Sequence, residues 1–416
     1  MASATDVIII GAGAAGLGAA KTLIAQGRSV RLLEAQNRIG GRAHTVTAKF
    51  GIPFDWGCAW LHAADRNPFF DEAIAQNATL QHHDLNLDRL YFGARRATAL
   101  EMARMFKADF QFAAMLEHRT AKGDRLAELL ELTPVGAAAG TYAGPMDFAQ
   151  DMDEISAADL TAAADLDPNF LVREGFGAVV AQWAGDVPVE LETPVRRLRW
   201  DGPGVVAETP RGELAARAAI VTVSTGVLAF GGLRFAPDLP LSHEEAIHNL
   251  PMGLLAKIPV EIRGGRLGLK PFEDILIERH GHHDVYFLCF PFDCDLLVGF
   301  VGGDFAWELA AAGEAAAVDF AVQSLVRAFG ADVGKQIGRG AMTDWGANPH
   351  TRGAYAAARP GFAAARKTLM EPVGSRIFFA GEALGGSLVQ TCAGARLSGE
   401  AAAVRVGEAL RIGKAS

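Results

Sequence analysis

At 416 residues the chain exceeds what one hydrophobic core usually supports, so two domains are expected. Hydrophobic residues make up 50% and charged residues 21%, an ordinary globular profile, and the 47 glycines fit many helix–strand turns without low complexity. A formal net charge of -9 argues against general affinity for nucleic acid or anionic lipid.

No run is long and apolar enough to span a bilayer. The start of the chain shows no basic stretch with an apolar h-region and no twin arginine, so the cytoplasm is the expected location. Cys58, Cys289, Cys294 and Cys392 form no CxxC or zinc spacing and read as free thiols in a reducing compartment.

In chain order, Asp6 to Ile10 is a β-branched run suited to a strand buried on both faces. A glycine turn, a helix from about Ala14 to Gln26 closed by Gly27, and a strand from Ser29 to Glu34 complete a βαβ-type unit. From Pro68 to about Asp165 the pattern is helical and rich in Ala, Leu and Met, with caps at Ser156 and Asp165. Another helix is predicted over Arg173 to Ala184. Val189 to Thr225 alternates like a meander broken at Asp201-Gly202-Pro203-Gly204 and Pro210-Arg211-Gly212. Leu254–Ile262, Ile275–Arg279, Val285–Phe290 and Leu296–Val301 read as antiparallel hairpins. A helix over Glu314–Phe329, a strand over Arg376–Phe379 and a last helix from near Thr391 to Leu410 close the chain.

Gly11-Ala12-Gly13-Ala14-Ala15-Gly16 fits GxGxxG between strand and helix. Gly11 permits the tight turn, Gly13 admits a pyrophosphate and Gly16 allows close helix–strand packing. Glu34 ends the next strand, where its carboxylate suits a ribose diol. A plain glycine turn is the competing reading. Three further segments favour FAD over NAD. Arg38-Ile39-Gly40-Gly41-Arg42 follows at once, and its paired glycines and Arg42 suit a second phosphate or the flavin ring. Arg376-Ile377-Phe378-Phe379-Ala380-Gly381-Glu382 leads into the last helix, whose N-terminus suits the pyrimidine edge of a reduced flavin. In Leu191-Glu192-Thr193-Pro194-Val195, the Val195 backbone suits the adenine.

Together these segments resemble the flavin-containing amine oxidase family, which includes monoamine oxidases, polyamine oxidases and flavin-type histone demethylases. The resemblance covers nearly the whole chain. It continues through Asp55-Trp56-Gly57-Cys58-Ala59-Trp60-Leu61-His62, Gly175-Phe176-Gly177, Leu250-Pro251-Met252-Gly253 with Lys257, Trp345, Arg352-Gly353-Ala354-Tyr355, and Ala380 to Gly399. It implies an α/β fold with a Rossmann-type FAD-binding domain from residues 1–65, 171–235 and 345–416. A discontinuous α+β substrate domain, antiparallel sheet plus helices, would come from 66–170 and 236–344. It adds Ala15, Gly57, Trp345 and Thr391 to the FAD contacts.

For chemistry, the resemblance implies oxidation of an amine C–N bond to an imine, with oxygen reduced to hydrogen peroxide. Lys257 corresponds to the lysine that assists reaction of reduced flavin with oxygen, a role a cation in a low-dielectric site suits. Trp345, Tyr355, Trp60 and Thr391 fall at the substrate, with core packing the alternative for the first two. Thr391 and Cys392 stand where a second cage tyrosine occurs in monoamine oxidases. Ala354 stands where their flavin-linking cysteine does, so noncovalent FAD is implied. His62 is assigned either a catalytic role on the amine or that of a satisfied histidine under the flavin. A polyamine or primary amine is the implied substrate, with a desaturase or porphyrinogen-type oxidase as rival and a non-enzymatic partner-binding flavoprotein as a third reading. His280-Gly281-His282-His283 is read as a hairpin turn with no metal. Asp293 and Asp295 are read as a solvated loop, with recognition of a second ammonium group the alternative.

Overall fold

The computed structural model describes residues 5–117, 124–129, 134–163, 166–278 and 283–412. Its architecture is mixed α/β, built on two large sheets. The first has eight strands, and both ends of the chain contribute to it. Thr5–Ile10 lies parallel between Val30–Leu33 and Gly212–Val221, and Ile377–Phe379 pairs parallel with the far end of Gly212–Val221. Val189–Glu190 extends the sheet beside Val30–Leu33, while Val205–Thr209, Arg197–Arg199 and Arg234–Ala236 continue it beyond Gly212–Val221.

Both faces of this sheet are covered, so its central strands are apolar throughout. Val7, Ile9, Ile220 and Phe378 pack against the first helix (Ala14–Ala25), Phe176–Ala184 and the last helix (Cys392–Ile412). Ile8, Ile10, Val221 and Phe379 face the opposite way, toward Leu241–His248 and Ala365–Met370. Period-two alternation thus serves two cores at once. Register aligns Leu33, Ile10, Val221 and Phe379 at one edge, where the carboxyl ends of parallel strands open a crevice.

The second sheet runs Ile337–Gly340, Leu255–Ile262, Leu296–Gly302, Val285–Cys289, Asp274–Glu278, Arg89–Phe92 and Arg95–Arg96. It is antiparallel except where Asp274–Glu278 meets Arg89–Phe92. The predicted hairpins are present, but the region after residue 68 is not purely helical. Leu80–His82 and Phe170–Val172 join Trp60–Leu61 in a three-stranded sheet, and Arg89–Phe92 joins the large one. Leu241–His248 and Gly303–Ala312 are helices outside the predicted set. Ser156 caps Ala157–Ala162 by accepting the Asp159 N–H at 3.1 Å, and Asp165 lies outside the described residues.

Candidate active site

The edge where the parallel strands end opens into a cavity of about 1170 Å³. Gly11 takes φ +103°, a conformation costly for any residue with a Cβ, and turns the chain out of the first strand. A methyl group on Gly16 would overlap the Gly11 carbonyl, so only glycine lets the helix start this close to the strand. Gly13 caps that helix without a side-chain hydrogen bond, leaving first-turn N–H groups for an anion. Glu34, 5% exposed, accepts the Ala12 N–H at 2.7 Å through one oxygen and the Gln36 N–H at 2.9 Å through the other. Each oxygen keeps a lone pair for a diol. Gly13, Ala15, Glu34 and Val195 all line this end of the cavity.

Further along, Gly41 comes close to Gly13 and Arg42 meets the C-terminal segment. Arg42 Nη1 donates to the Ala354 carbonyl at 2.6 Å and to Glu382 at 3.0 Å. Gly381, at φ +150°, has nothing within 4 Å of where a Cβ would stand. Thr391 Oγ1 donates to the Leu388 carbonyl at 2.8 Å and accepts the Gly394 N–H at 2.9 Å. Its hydroxyl therefore caps the last helix while the residue lines the cavity.

At the other end, Lys257 is 8% exposed and its ammonium donates to the carbonyls of Asp55 at 2.7 Å and Gly57 at 2.6 Å. Burial lowers its pKa to about 8, with Asp55 and Cys58 opposing the shift. Asp55 itself accepts the N–H groups of Phe176 and Gly177 at the start of a helix, and burial pushes its carboxyl up. A Cβ on Gly57 would overlap the Arg42 carbonyl, so this segment packs tightly against the Arg42 turn.

Trp60, His62, Trp345 and Tyr355 all line the cavity. Trp345 is 4% exposed and donates to the Trp56 carbonyl at 2.9 Å. The Tyr355 hydroxyl donates to the Met146 carbonyl at 2.9 Å, which leaves its ring edge and face for contact. His62 Nδ1 lies 2.7 Å from Asn169 Oδ1, and burial lowers its pKa. One of its nitrogens is therefore satisfied by the protein and the other is the only one left for a ligand.

Beyond Glu34 and Glu382, the cavity holds carboxylates that the sequence does not single out. Asp84, Asp109, Asp147 and Asp167 line it, with Asp109 on the helix Ala99–Glu117 and Asp147 directly after Tyr142–Met146. Asp147 lines the open cavity and is exposed there, and desolvation by the surrounding protein, with Asp109 and Asp167, raises its pKa to about 7. Neutral walls come from Phe112, Leu116 and Leu160. Asp293 and Asp295, by contrast, lie away from the cavity, each beside Arg266, at 3.0 and 3.4 Å. His283 packs on Phe305 at 4.3 Å, while residues 280–282 lie outside the described residues. Among the described residues no cluster of three metal-ligating side chains occurs, and no helix is long and apolar enough to cross a membrane.

Comparison with known proteins identifies the family. Residues 74–407 match the family described as flavin containing amine oxidoreductase, and residues 9–73 match the NAD(P)-binding Rossmann-like domain. Polyamine oxidase 5 of Oryza sativa subsp. japonica is 27% identical over 92% of this chain and 83% of its own length. Polyamine oxidase 2 of Arabidopsis thaliana is 28% identical over 96% and 87%. The chain spans about half the length (52%) of a 26% identical lysine-specific histone demethylase 1 homolog 1 from Oryza sativa subsp. japonica. Putrescine oxidase bound to putrescine superposes with a TM-score of 0.79 at 21% identity, covering 98% of this chain and 99% of that one. Cyclohexylamine oxidase from Brevibacterium oxydans gives 0.79 at 24%, covering 98% and 100%. With that family match over residues 74–407, the chain belongs to the flavin-containing amine oxidoreductases and is an FAD-dependent amine oxidase.

Proposed function

We propose that the enzyme oxidises the C–N bond of a primary amine or polyamine to an imine and passes the electrons to oxygen, giving hydrogen peroxide. The observation that carries this reading is the buried Lys257 ammonium, held by two backbone carbonyls on the wall of a cavity that also holds aromatic rings and carboxylates. FAD, bound without a covalent link, would supply the hydride acceptor. Gly11, Gly13, Ala15, Gly16, Glu34 and Val195 would hold its adenosine and pyrophosphate part. Gly41, Arg42, Gly57, Trp345, Gly381, Glu382 and Thr391 would hold the remainder.

Lys257 keeps a fixed cation where oxygen gains electrons, and a cation in a water-poor site lowers that barrier without reorganisation. Trp60, Tyr355 and Trp345 orient the amine and strip its water; an aromatic face also attracts the cationic form. His62, with one nitrogen bound to Asn169, offers the other to the substrate amine. Asp147 and Asp109 favour a substrate with a second ammonium group, which suits a diamine or polyamine. An FAD-binding part (1–65, 171–235, 345–416) and a substrate part (66–170, 236–344) are assigned on this reading, supported by the strands of the second large sheet, all of which fall within 66–170 and 236–344. The four cysteines, all free, suit a cytoplasmic location.

Anaerobic mixing of the yellow protein with a panel of amines, polyenes and porphyrinogens tests the reading. Amines should bleach the flavin, and admitting oxygen should restore it with one peroxide per turnover. Bleaching only by polyenes or porphyrinogens would assign the enzyme to C–C bond oxidation instead.

A further inference from the structure

We infer that His83, oriented by Asp274, is a positioning residue that fixes the indole of Trp60 as a wall of the amine site. This rests on the reading of Trp60 as a substrate contact. Trp60 belongs to a strand of two residues, Trp60–Leu61, held by two register pairs to Phe170–Val172. So short a strand fixes the backbone and leaves the large ring to be set by its own contacts. The ring stacks with His62 at 6.3 Å and 22° and packs against Phe300 at 5.5 Å. Its one polar atom, Nε1–H, points away from those neighbours and donates to His83 Nδ1 at 3.2 Å.

His83 is 6% exposed and Asp274 1%. The other imidazole nitrogen, Nε2, lies 3.3 Å from Asp274 Oδ1 and 3.2 Å from the Phe272 carbonyl. Asp274 also accepts the hydroxyl of the fully buried Tyr286, and its backbone N–H donates to Asp88. To accept from the indole, Nδ1 must carry a lone pair, so the proton sits on Nε2 and faces Asp274. Burial disfavours the imidazolium and Asp274 favours it, with a net rise in pKa. An imidazolium would turn a second N–H toward the indole, so the observed contact is that of the neutral ring.

Burying a carboxylate and an imidazole is costly, and an apolar pair of similar volume would pack without that cost. The network ends on an indole N–H at the cavity wall. Separately, the backbone N–H of His83 donates to the backbone carbonyl of Asn169 at 2.8 Å, and the Asn169 side chain meets His62.

The test uses holoenzyme of His83→Leu, His83→Asn, Trp60→Phe and the Trp60→Phe/His83→Leu double variant. Asparagine keeps an acceptor at the δ position and leucine removes it. Indole ¹⁵N resonances of tryptophan-labelled protein, assigned through Trp60→Phe, read the ring directly. Stopped-flow flavin bleaching by putrescine and cyclohexylamine reads the site. His83→Leu should shift the Trp60 resonance, speed its exchange with solvent and raise the apparent Kd of each reducing amine by about tenfold or more, since small misplacements of positioning groups carry large penalties. His83→Asn should stay within about threefold of wild type, and His83→Leu should add nothing in the Trp60→Phe background. If His83→Leu yields no soluble holoenzyme, His83→Gln replaces it with the same expectations, since its amide sits one bond further out. An unmoved Trp60 resonance would overturn the positioning role. A moved resonance with unchanged amine affinity would overturn Trp60 as a substrate wall, while flavin bleaching would show the amine oxidase reading intact.

Discussion

Arg42 donates to Glu382 at 3.0 Å across 340 residues of sequence, so a turn near one end of the chain and a turn near the other are bonded directly. Glu382 is 6% exposed and also receives the Ala356 N–H, while Arg42 reaches the Ala354 carbonyl. Glu382→Gln keeps the volume and removes the charge. We expect a loss of about 1.5–3 kcal/mol of stability, the range for a hydrogen bond to a charged group, together with weaker FAD retention. Urea melts and flavin release on gel filtration check both. A stable, fully yellow variant would show that this bond does not join the two ends.

Lys257 gives a pH signature with two limbs. Its pKa of about 8 means that the ammonium is lost as pH rises through that value. Reoxidation by oxygen should therefore slow above pH about 8. Reduction by the amine should quicken over the same range, because the substrate nitrogen must shed its proton before hydride leaves. Lys257→Met should slow reoxidation by about 100-fold, as loss of a preorganised charge-stabilising donor does, and abolish its pH limb while leaving reduction nearly unchanged. Stopped-flow traces of the two half-reactions separate these effects. Stability should move in the opposite sense to reoxidation. Below pH about 8 the lysine is protonated in both states, and between there and the ordinary value of 10.5 only the unfolded chain keeps the proton. Unfolding free energy should consequently rise with pH across that window.

The turns proposed to hold the cofactor were legible as turns because their signals are local. Gly11 to Gly16 and Gly381-Glu382 are turns whose backbone demands can be read from neighbouring residues, and Glu34 follows at a fixed spacing. The paired partners of short strands are another matter. Leu80–His82 meets Phe170–Val172 across some ninety residues, so nothing near residue 80 announces a strand. The same non-locality hid Asp147, whose electrostatic neighbours Asp109 and Asp167 are far along the chain. Asp293 and Asp295 looked like an acidic pair in sequence, but a single arginine, Arg266, lies beside both away from the cavity. Side chains that serve two ends, such as Thr391 as cap and cavity wall, were legible in place though not in bonding.

Asp147 should set substrate preference. Asp147→Asn should raise the KM for a diamine by about tenfold, equivalent to about 1.4 kcal/mol, and change that of a monoamine of similar length by less than about twofold. The carboxyl is raised to about 7 by desolvation and by Asp109 and Asp167, so it is charged only above that pH. The diamine KM should therefore climb as pH falls below about 7, and the variant should lose that dependence. Steady-state peroxide release across pH 6 to 9, with putrescine against butylamine, checks this. Equal effects on both amines would assign Asp147 to packing.

The contact between the first and last helices makes a final prediction. A Cβ on Gly399 would overlap the Ala15 carbonyl, within the turn of the first helix that lines the cavity. Backbone cannot swing aside as a long side chain can, so Gly399→Ala must push the last helix off the first. The cost of such overpacking is about 1–3 kcal/mol, and the helix pressed upon carries Ala15 at the cavity wall. Gly407→Ala on the same helix is the control, because there the added methyl meets only the movable end of Gln26. Gly399→Ala should lower the melting temperature and purify with substoichiometric FAD, while Gly407→Ala should match wild type in both. If the two variants lose flavin equally, general helix destabilisation explains the loss. Flavin loss confined to Gly399→Ala places the dependence at the joint between the chain's two ends.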